Sequence, residues 1–237
     1  MELKNQSFQN TIQPIVTGQS VLAVCYKDGV MMIADTQLSY GNQRKFQDVP
    51  RLFSVCRSKV LIGFSGEHSD AQYIMKMMEQ IDTDNFVNPT VPSLNALQLS
   101  GYLSRIFYNH RNKFNPLWNQ TLVAGINDNT PYLSYVDYHG TTFNDTVMAT
   151  GFGAYFALPL LREKAKSDMT ESEAKDLLEE CMKILSVRDC RGHNKVLLAT
   201  VNKDGVTMHD MYTIKQNWEH KAFLTPSIAN DLCGSSW

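Results

Sequence analysis

The order of strand-like and helix-like segments constrains the fold of this chain more than any other feature of its sequence. Two pairs of short β-rich runs come first: Ser20 to Tyr26 with Val30 to Ala34, and Leu52 to Val55 with Val60 to Phe64. Each pair is joined by a short polar turn that suits an antiparallel hairpin. From Glu67 onwards the apolar residues recur at helical spacing, in a stripe of Ala71, Ile74, Met75 and Met78. Four strands are therefore predicted before the first helix.

The rest of the chain continues the same alternation. A second helix is predicted from about Ser93 to Asn115, where Pro116 follows. Three predicted strands come next, at Thr121 to Ile126, Tyr132 to Asp137 and Thr146 to Thr150. Helix then returns, with Thr170 and Glu173 as a capping box. Its predicted buried stripe is Ala174, Leu177, Leu178, Cys181, Met182 and Leu185, and a hairpin of Val196 to Val201 with Val206 to Met211 closes the pattern.

The predicted order along the chain is strands, two helices, strands, two helices and strands. It predicts an α+β protein, a four-layer αββα sandwich in which two antiparallel sheets are flanked by helices. We expect three parts: an N-terminal extension over residues 1–18, one domain over residues 19–211, and a C-terminal tail over residues 212–237 without strand or helix periodicity.

Composition excludes several classes of partner. The formal net charge of −2 gives no basic field for nucleic acid, and the sequence has no apolar run long enough for a membrane span or a secretory signal. The cysteines are Cys25, Cys56, Cys181, Cys190 and Cys233, which are scattered and form no C-x-x-C pair. They predict reduced thiols in an intracellular protein. No metal site or cofactor is expected.

Several segments resemble a known family. The sequence Gly18-Gln19-Ser20-Val21-Leu22, followed by Asp28 to Asp35, resembles proteasome β subunits of the N-terminal nucleophile (Ntn) hydrolase superfamily. Asn115 to Asn119, Ala149 to Tyr155 and Pro159 to Glu163 resemble its non-catalytic members more specifically. The resemblance implies an Ntn-hydrolase fold and a place in the inner ring of the 20S core particle. It also implies a role in ATP- and ubiquitin-dependent protein degradation in the cytoplasm and nucleus.

The same resemblance implies the partners. They would be other β subunits in the same ring and in the opposite ring, together with subunits of the α rings. The tail from Tyr212 to Trp237 resembles an arm that reaches the opposite ring and supports the joining of half-particles.

Active members of this family use an N-terminal threonine that follows a glycine, with its own amine as general base. Gly18 matches that glycine, but Gln19 stands at the threonine position, and a carboxamide supplies no nucleophilic oxygen. Arg51 matches the family's lysine and cannot share its role in proton transfer. Asp35 matches the aspartate that pairs with the lysine, so we interpret an Asp35–Arg51 ion pair as structural.

Four further positions complete the comparison with the family. Asp189 matches a second acidic residue of the family's site, and Phe152 and Gly192 stand at two serine positions. Gly66 keeps the position whose backbone N–H forms the oxyanion hole, and we interpret it as a turn before the first helix. The sequence thus predicts a degenerate site without catalytic residues.

Two enzymatic alternatives stay open at this point. An active threonine-type peptidase would need another nucleophile, for which Thr17 and Ser20 are the candidates. A stand-alone Ntn amidohydrolase would need a small-molecule pocket beside an N-terminal nucleophile.

Overall fold

Two antiparallel sheets form the centre of the molecule in the computed structural model, which describes residues 13–88, 93–216 and Trp218. The first sheet has the strand order β10-β9-β8-β7-β1-β4-β5, and β6 pairs with β7 beside this path. Its strands are β1 Val16–Gly18, β4 Leu38–Tyr40, β5 Gln43–Phe46, β6 Leu52–Val55, β7 Val60–Glu67, β8 Asn119–Asn127, β9 Thr130–Val136 and β10 Thr142–Asn144.

The second sheet has the order β11-β2-β3-β12-β13, with β14 also paired to β12. Its strands are β2 Val21–Tyr26, β3 Gly29–Asp35, β11 Val147–Ala149, β12 Lys195–Asn202, β13 Gly205–Met208 and β14 Tyr212–Thr213. The central strand β3 pairs with β2 on one side and with β12 on the other.

Side-chain alternation along the strands builds the layers. In β2, Val21 and Ala23 belong to the apolar cluster between the two sheets, whereas Leu22 and Val24 belong to the cluster under the helices. Successive strand residues point to opposite faces, so a sheet that is apolar on both faces needs a cover on each. Its partner sheet has the same requirement, because Val60, Ile62 and Phe64 of β7 pack against helices.

Five helices cover the outer faces in the described part of the chain: α1 His68–Val87, α2 Ala96–Asn112, α3 Gly153–Phe156, α4 Leu158–Lys164 and α5 Glu171–Arg188. The first two pack on the first sheet, and α4 and α5 pack on the second. The predicted capping box is present, since Thr170 accepts from the backbone N–H of Glu173 and the Glu173 carboxylate accepts from that of Thr170. The four-layer αββα architecture is confirmed.

The number of elements was predicted less well. Seven strands precede the first helix instead of four, because β1, β4 and β5 were missed, and β10 was missed later. Three of these strands have only three residues, and β5 is exposed throughout, so none carries an apolar alternation. The second helix begins at Ala96 with Asn95 as its cap, not near Ser93. Three helices, not two, follow β11.

The start of the predicted tail also differs from the expectation. Tyr212 and Thr213 pair with β12, and Ile214 is buried in the cluster under α5. The prediction that residues 212–237 do not pack on the domain is therefore wrong for these three residues. Asn217 and residues 219–237 lie outside the described part, as do residues 1–12 of the N-terminal extension. None of the helices in the described residues is long and apolar enough to cross a membrane.

Candidate functional site around Gln19

Gln19 lies in the short link between β1 of one sheet and β2 of the other. It directly follows Gly18, the last residue of β1. The carbonyl oxygen of Gln19 accepts a hydrogen bond of 2.7 Å from Nη1 of Arg51. The backbone at Gln19, which the resemblance places at the nucleophile position, is thus held by Arg51.

Arg51 makes five hydrogen bonds and is only 2% exposed. Its Nε donates to the Asp35 carbonyl oxygen, and Nη1 donates to that of Phe64 as well as to Gln19. Its Nη2 donates to the Ser20 carbonyl oxygen and to Oδ1 of Asp35. A guanidinium group has five N–H donors, so all are used. Arg51 therefore joins β3, β7 and the β1–β2 link.

The ion pair between Arg51 and Asp35 is present, as the sequence predicted. Complete burial raises the pKa of the Asp35 carboxyl, because removal from water penalises the charged form. The charge and hydrogen bond of Arg51 act in the opposite direction, while the negative charge of Asp189 adds to the increase in the pKa. Arg51 therefore stabilises the ionised form of the Asp35 carboxyl group.

Asp189 and Gly192 form a turn at the end of α5. The backbone N–H of Gly192 donates to the Asp189 carbonyl oxygen at 2.9 Å, and Oδ1 of Asp189 accepts from the backbone N–H of Arg191. Together with Gln19, Ser20 and Asp35 they border a cavity of about 10 Å³. A single water needs at least about this much room. The structure thus brings Gln19, Asp35, Asp189 and Gly192 together, around almost no free volume.

Phe152 and Gly66 line a different space. Both border a separate cleft of about 700 Å³, which is also lined by Gln19, Thr17 and Gly18. The Phe152 side chain is 48% exposed and its ring stacks on Phe156. Five further aromatic side chains line the cleft: Trp118, Tyr135, Tyr138, Phe143 and Tyr155. Phe152 therefore contributes apolar surface to the cleft, at a position that the resemblance matches to a serine.

Gly66 has the conformation expected of a turn glycine. Its φ is +97°, and a Cβ at this position would collide with the backbone oxygen of Trp118. Only glycine tolerates this combination, so Gly66 is required by the fold. It also pairs directly with Gly18 across β7 and β1.

The two alternative nucleophiles are engaged in the structure. The Ser20 hydroxyl accepts a hydrogen bond of 2.8 Å from the backbone N–H of Gly153 at the start of α3, and Ser20 is only 3% exposed. Thr17 is the middle residue of β1, paired with Ser39 on one side and Glu67 on the other. Neither residue is a free N-terminus in the described chain.

Sequence reasoning missed Glu67 and the strand β1 beside it. The Glu67 carboxylate is largely buried and accepts from the backbone N–H groups of Ile15 and Val16. Its other oxygen accepts from the backbone N–H and the hydroxyl of Ser69 at the start of α1. An acidic residue just before a predicted helix signals a cap, but its contacts with a distant segment carry no local signal.

Among the described residues, no three His, Cys, Asp or Glu side chains form a group that could hold a metal ion.

Comparison with known proteins agrees with this fold. The model of the proteasome subunit family matches residues 15–201, so the chain belongs to the proteasome subunit family. The relatives are β-type subunits. "Proteasome subunit beta type-4" of Arabidopsis thaliana is 36% identical over 237 residues, which cover all of this chain and 95% of the relative.

Other relatives agree. "Proteasome subunit beta type-4" of Xenopus laevis is 36% identical, over 89% of this chain and 88% of the relative. "Proteasome subunit beta type-7" of Saccharomyces cerevisiae is 39% identical, over 82% of this chain and 77% of the relative. The predicted resemblance to proteasome β subunits, in particular to the type-4 subunit, is confirmed.

Proposed function

We propose that the chain is a non-catalytic structural β subunit of the 20S proteasome core particle. In this role it forms part of the inner β ring, contacts β subunits of its own and the opposite ring, and contacts the α ring. It supports ATP- and ubiquitin-dependent degradation and the assembly of half-particles, in the cytoplasm and nucleus. It contributes no nucleophile to the proteolytic chamber.

The environment of Gln19 is the main support for this proposal. Threonine catalysis needs a hydroxyl group and a free α-amine on one residue. Gln19 has a carboxamide instead of the hydroxyl group. Arg51 stands where active members have lysine, and its N–H groups hold four backbone carbonyls and Asp35. An arginine with this role stabilises the fold but transfers no proton.

The alternative of an active peptidase has less support. Cleavage before Thr17 would cut within β1, and cleavage before Ser20 would free a residue whose hydroxyl already accepts from Gly153. The alternative of a stand-alone amidohydrolase is opposed by membership of a family of complex subunits. It would run as a small species in size-exclusion chromatography instead of co-eluting with a ring assembly.

Exposed apolar side chains support a role in assembly. On α1, the Phe86 side chain is 82% exposed and Tyr73 is about half exposed. On α2, Leu97 and Tyr108 are also about half exposed. Exposed apolar surface marks contact with other proteins where it forms a contiguous patch. We expect this layer to be covered in the ring assembly.

Labelling of the assembled particle with an electrophile that traps N-terminal threonine tests the proposal. We expect this chain to remain unlabelled while catalytic neighbours in the same particle react, which provides the positive control. A labelled band from this chain at 26.9 kDa, or at a slightly lower mass, would overturn the proposal.

The variant Gln19→Thr tests whether the missing nucleophile is the only defect. We expect it to remain unlabelled, because Arg51 keeps its five hydrogen bonds and the cavity beside position 19 holds at most one water. Labelling of Gln19→Thr would show that the altered Arg51, Phe152 and Gly192 positions do not by themselves prevent catalysis.

A further inference from the structure

The strand β1 fills a gap inside the first sheet. Its three residues pair with β4 on one side, and Thr17 and Gly18 pair with β7 on the other. The sheet order contains no contact between β7 and β4, so without β1 both strands would present open edges across a gap. Neighbouring strands lie about 4.8 Å apart, so such a gap has the width of a single extended chain. Open edges of this kind recruit extended peptides.

A three-residue strand is weakly held by its ladder alone. Ordering each residue costs about 1–2 kcal/mol of backbone entropy, and short strands offer few hydrogen bonds in return. The start of β1 is held by Glu67, whose Oε2 accepts from the N–H groups of Ile15 and Val16, the latter at 3.0 Å. Hydrogen bonds to a carboxylate are about twice as strong as those between neutral groups.

The Glu67 carboxylate is also fixed from its other side. Its Oε1 accepts from the backbone N–H of Ser69 at 3.4 Å and from the Ser69 hydroxyl at 3.1 Å. The N-terminus of α1 therefore holds the side chain in place, and an N-terminal helix dipole favours a negative charge there. The far end of β1 is held differently, because Gly18 packs directly against the Arg51 side chain.

We propose that Glu67 is a latch that keeps Val16–Gly18 inserted between β7 and β4, so that the chain's own N-terminal strand closes this gap to any other extended peptide. The latch couples the first turn of α1 to the N-terminal strand through one carboxylate. This role goes beyond the proposed lack of catalysis, because a chain with no nucleophile could still leave the gap open.

Hydrogen exchange of the full chain, followed by mass spectrometry, tests the latch. In Glu67→Ala we expect exchange of the amides of residues 15–18 to rise at least about tenfold, because two charge-assisted bonds are lost. Glu67→Gln keeps an acceptor oxygen and loses the charge, so we expect a smaller rise in the same peptide. Glu79→Ala is the matched control, since Glu79 is an exposed acid on the same helix.

Exchange in β8 and α5 shows whether the effect is local. A rise confined to residues 15–18 and the first turn of α1 supports the latch. No rise in that segment, or an equal rise across β8 and α5, contradicts it. Limited proteolysis adds a second readout: we expect Glu67→Ala to lose residues up to Gly18 faster than Glu79→Ala. These results do not depend on labelling by the threonine-directed electrophile, so the latch and the proposed function can fail separately.

Discussion

Replacing Arg51 by methionine tests how much the buried network around Gln19 stabilises the fold. The change keeps most of the side-chain volume but removes every N–H donor. It leaves the carbonyl oxygens of Gln19, Ser20, Asp35 and Phe64 without this partner, and it leaves the Asp35 carboxylate buried without its counter-ion. Breaking a buried pair in this way costs about 3–5 kcal/mol of unfolding free energy.

The loss should depend on pH with a definite sign. Burial already raises the pKa of Asp35 and Arg51 opposes that increase, so Arg51→Met raises the pKa further. A group whose pKa is higher in the folded state stabilises the fold at low pH, and this contribution is lost as the pH rises through the folded pKa. The penalty of Arg51→Met should therefore be smaller at about pH 5 than at about pH 8.

Urea unfolding of the purified full chain, followed by tryptophan fluorescence, measures these effects. Lys164→Met is the control, because Lys164 forms an exposed ion pair with Glu180 and its loss should fall within experimental error. Asp35→Asn in the Arg51→Met background should recover at least about 1 kcal/mol, since it removes the unpaired charge. If Arg51→Met were no more destabilising than Lys164→Met, the structural interpretation of the Asp35–Arg51 pair would be refuted.

Three other predictions follow from the structure. Gly66→Ala should destabilise the chain by at least about 2 kcal/mol, measured by the same urea titration, because a Cβ collides with backbone at a positive φ. Burial raises the pKa of Cys181 to about 12, so at pH 8 only about one Cys181 thiol in 10,000 is ionised. Iodoacetamide should therefore label the exposed Cys190 but not Cys181. Adding urea should make Cys181 reactive as well. Deleting residues 217–237 should leave the domain folded, because Ile214 remains packed in the core. The deletion should raise the ratio of half-particles to full particles on native gels. An unchanged ratio would exclude a role of the tail in joining half-particles.

Patterns with regular spacing predicted much of the fold. All six residues of the stripe from Ala174 to Leu185 are buried on α5, and the β-rich runs correctly indicated strands β2 and β3. These signals are local, because burial of one helix face or both strand faces follows directly from residue spacing. On α1, Met78 is buried and Met75 is partly buried, because Met75 lies at the edge of the apolar stripe.

Elements stabilised by distant partners could not be predicted in the same way. Val16–Gly18 has no distinctive pattern, and it forms a strand because Tyr40 and Glu67 lie on either side of it. The resemblance to the family indicated the Asp35–Arg51 pair, but the four carbonyl partners of Arg51 follow only from the way that three segments meet. The family resemblance grouped Phe152 with Asp189 and Gly192, whereas in the structure Phe152 lines a different cavity from those two residues.

The N-terminus of this chain in purified particles tests the proposed lack of catalysis most directly. An N-terminal nucleophile must be the first residue of its mature chain. Intact-mass measurement, with and without a saturating threonine-directed electrophile, should give a chain that retains residues before Gln19 and gains no mass from the electrophile. A chain that begins at Thr17, Gln19 or Ser20 and carries one bound electrophile would contradict a purely structural role.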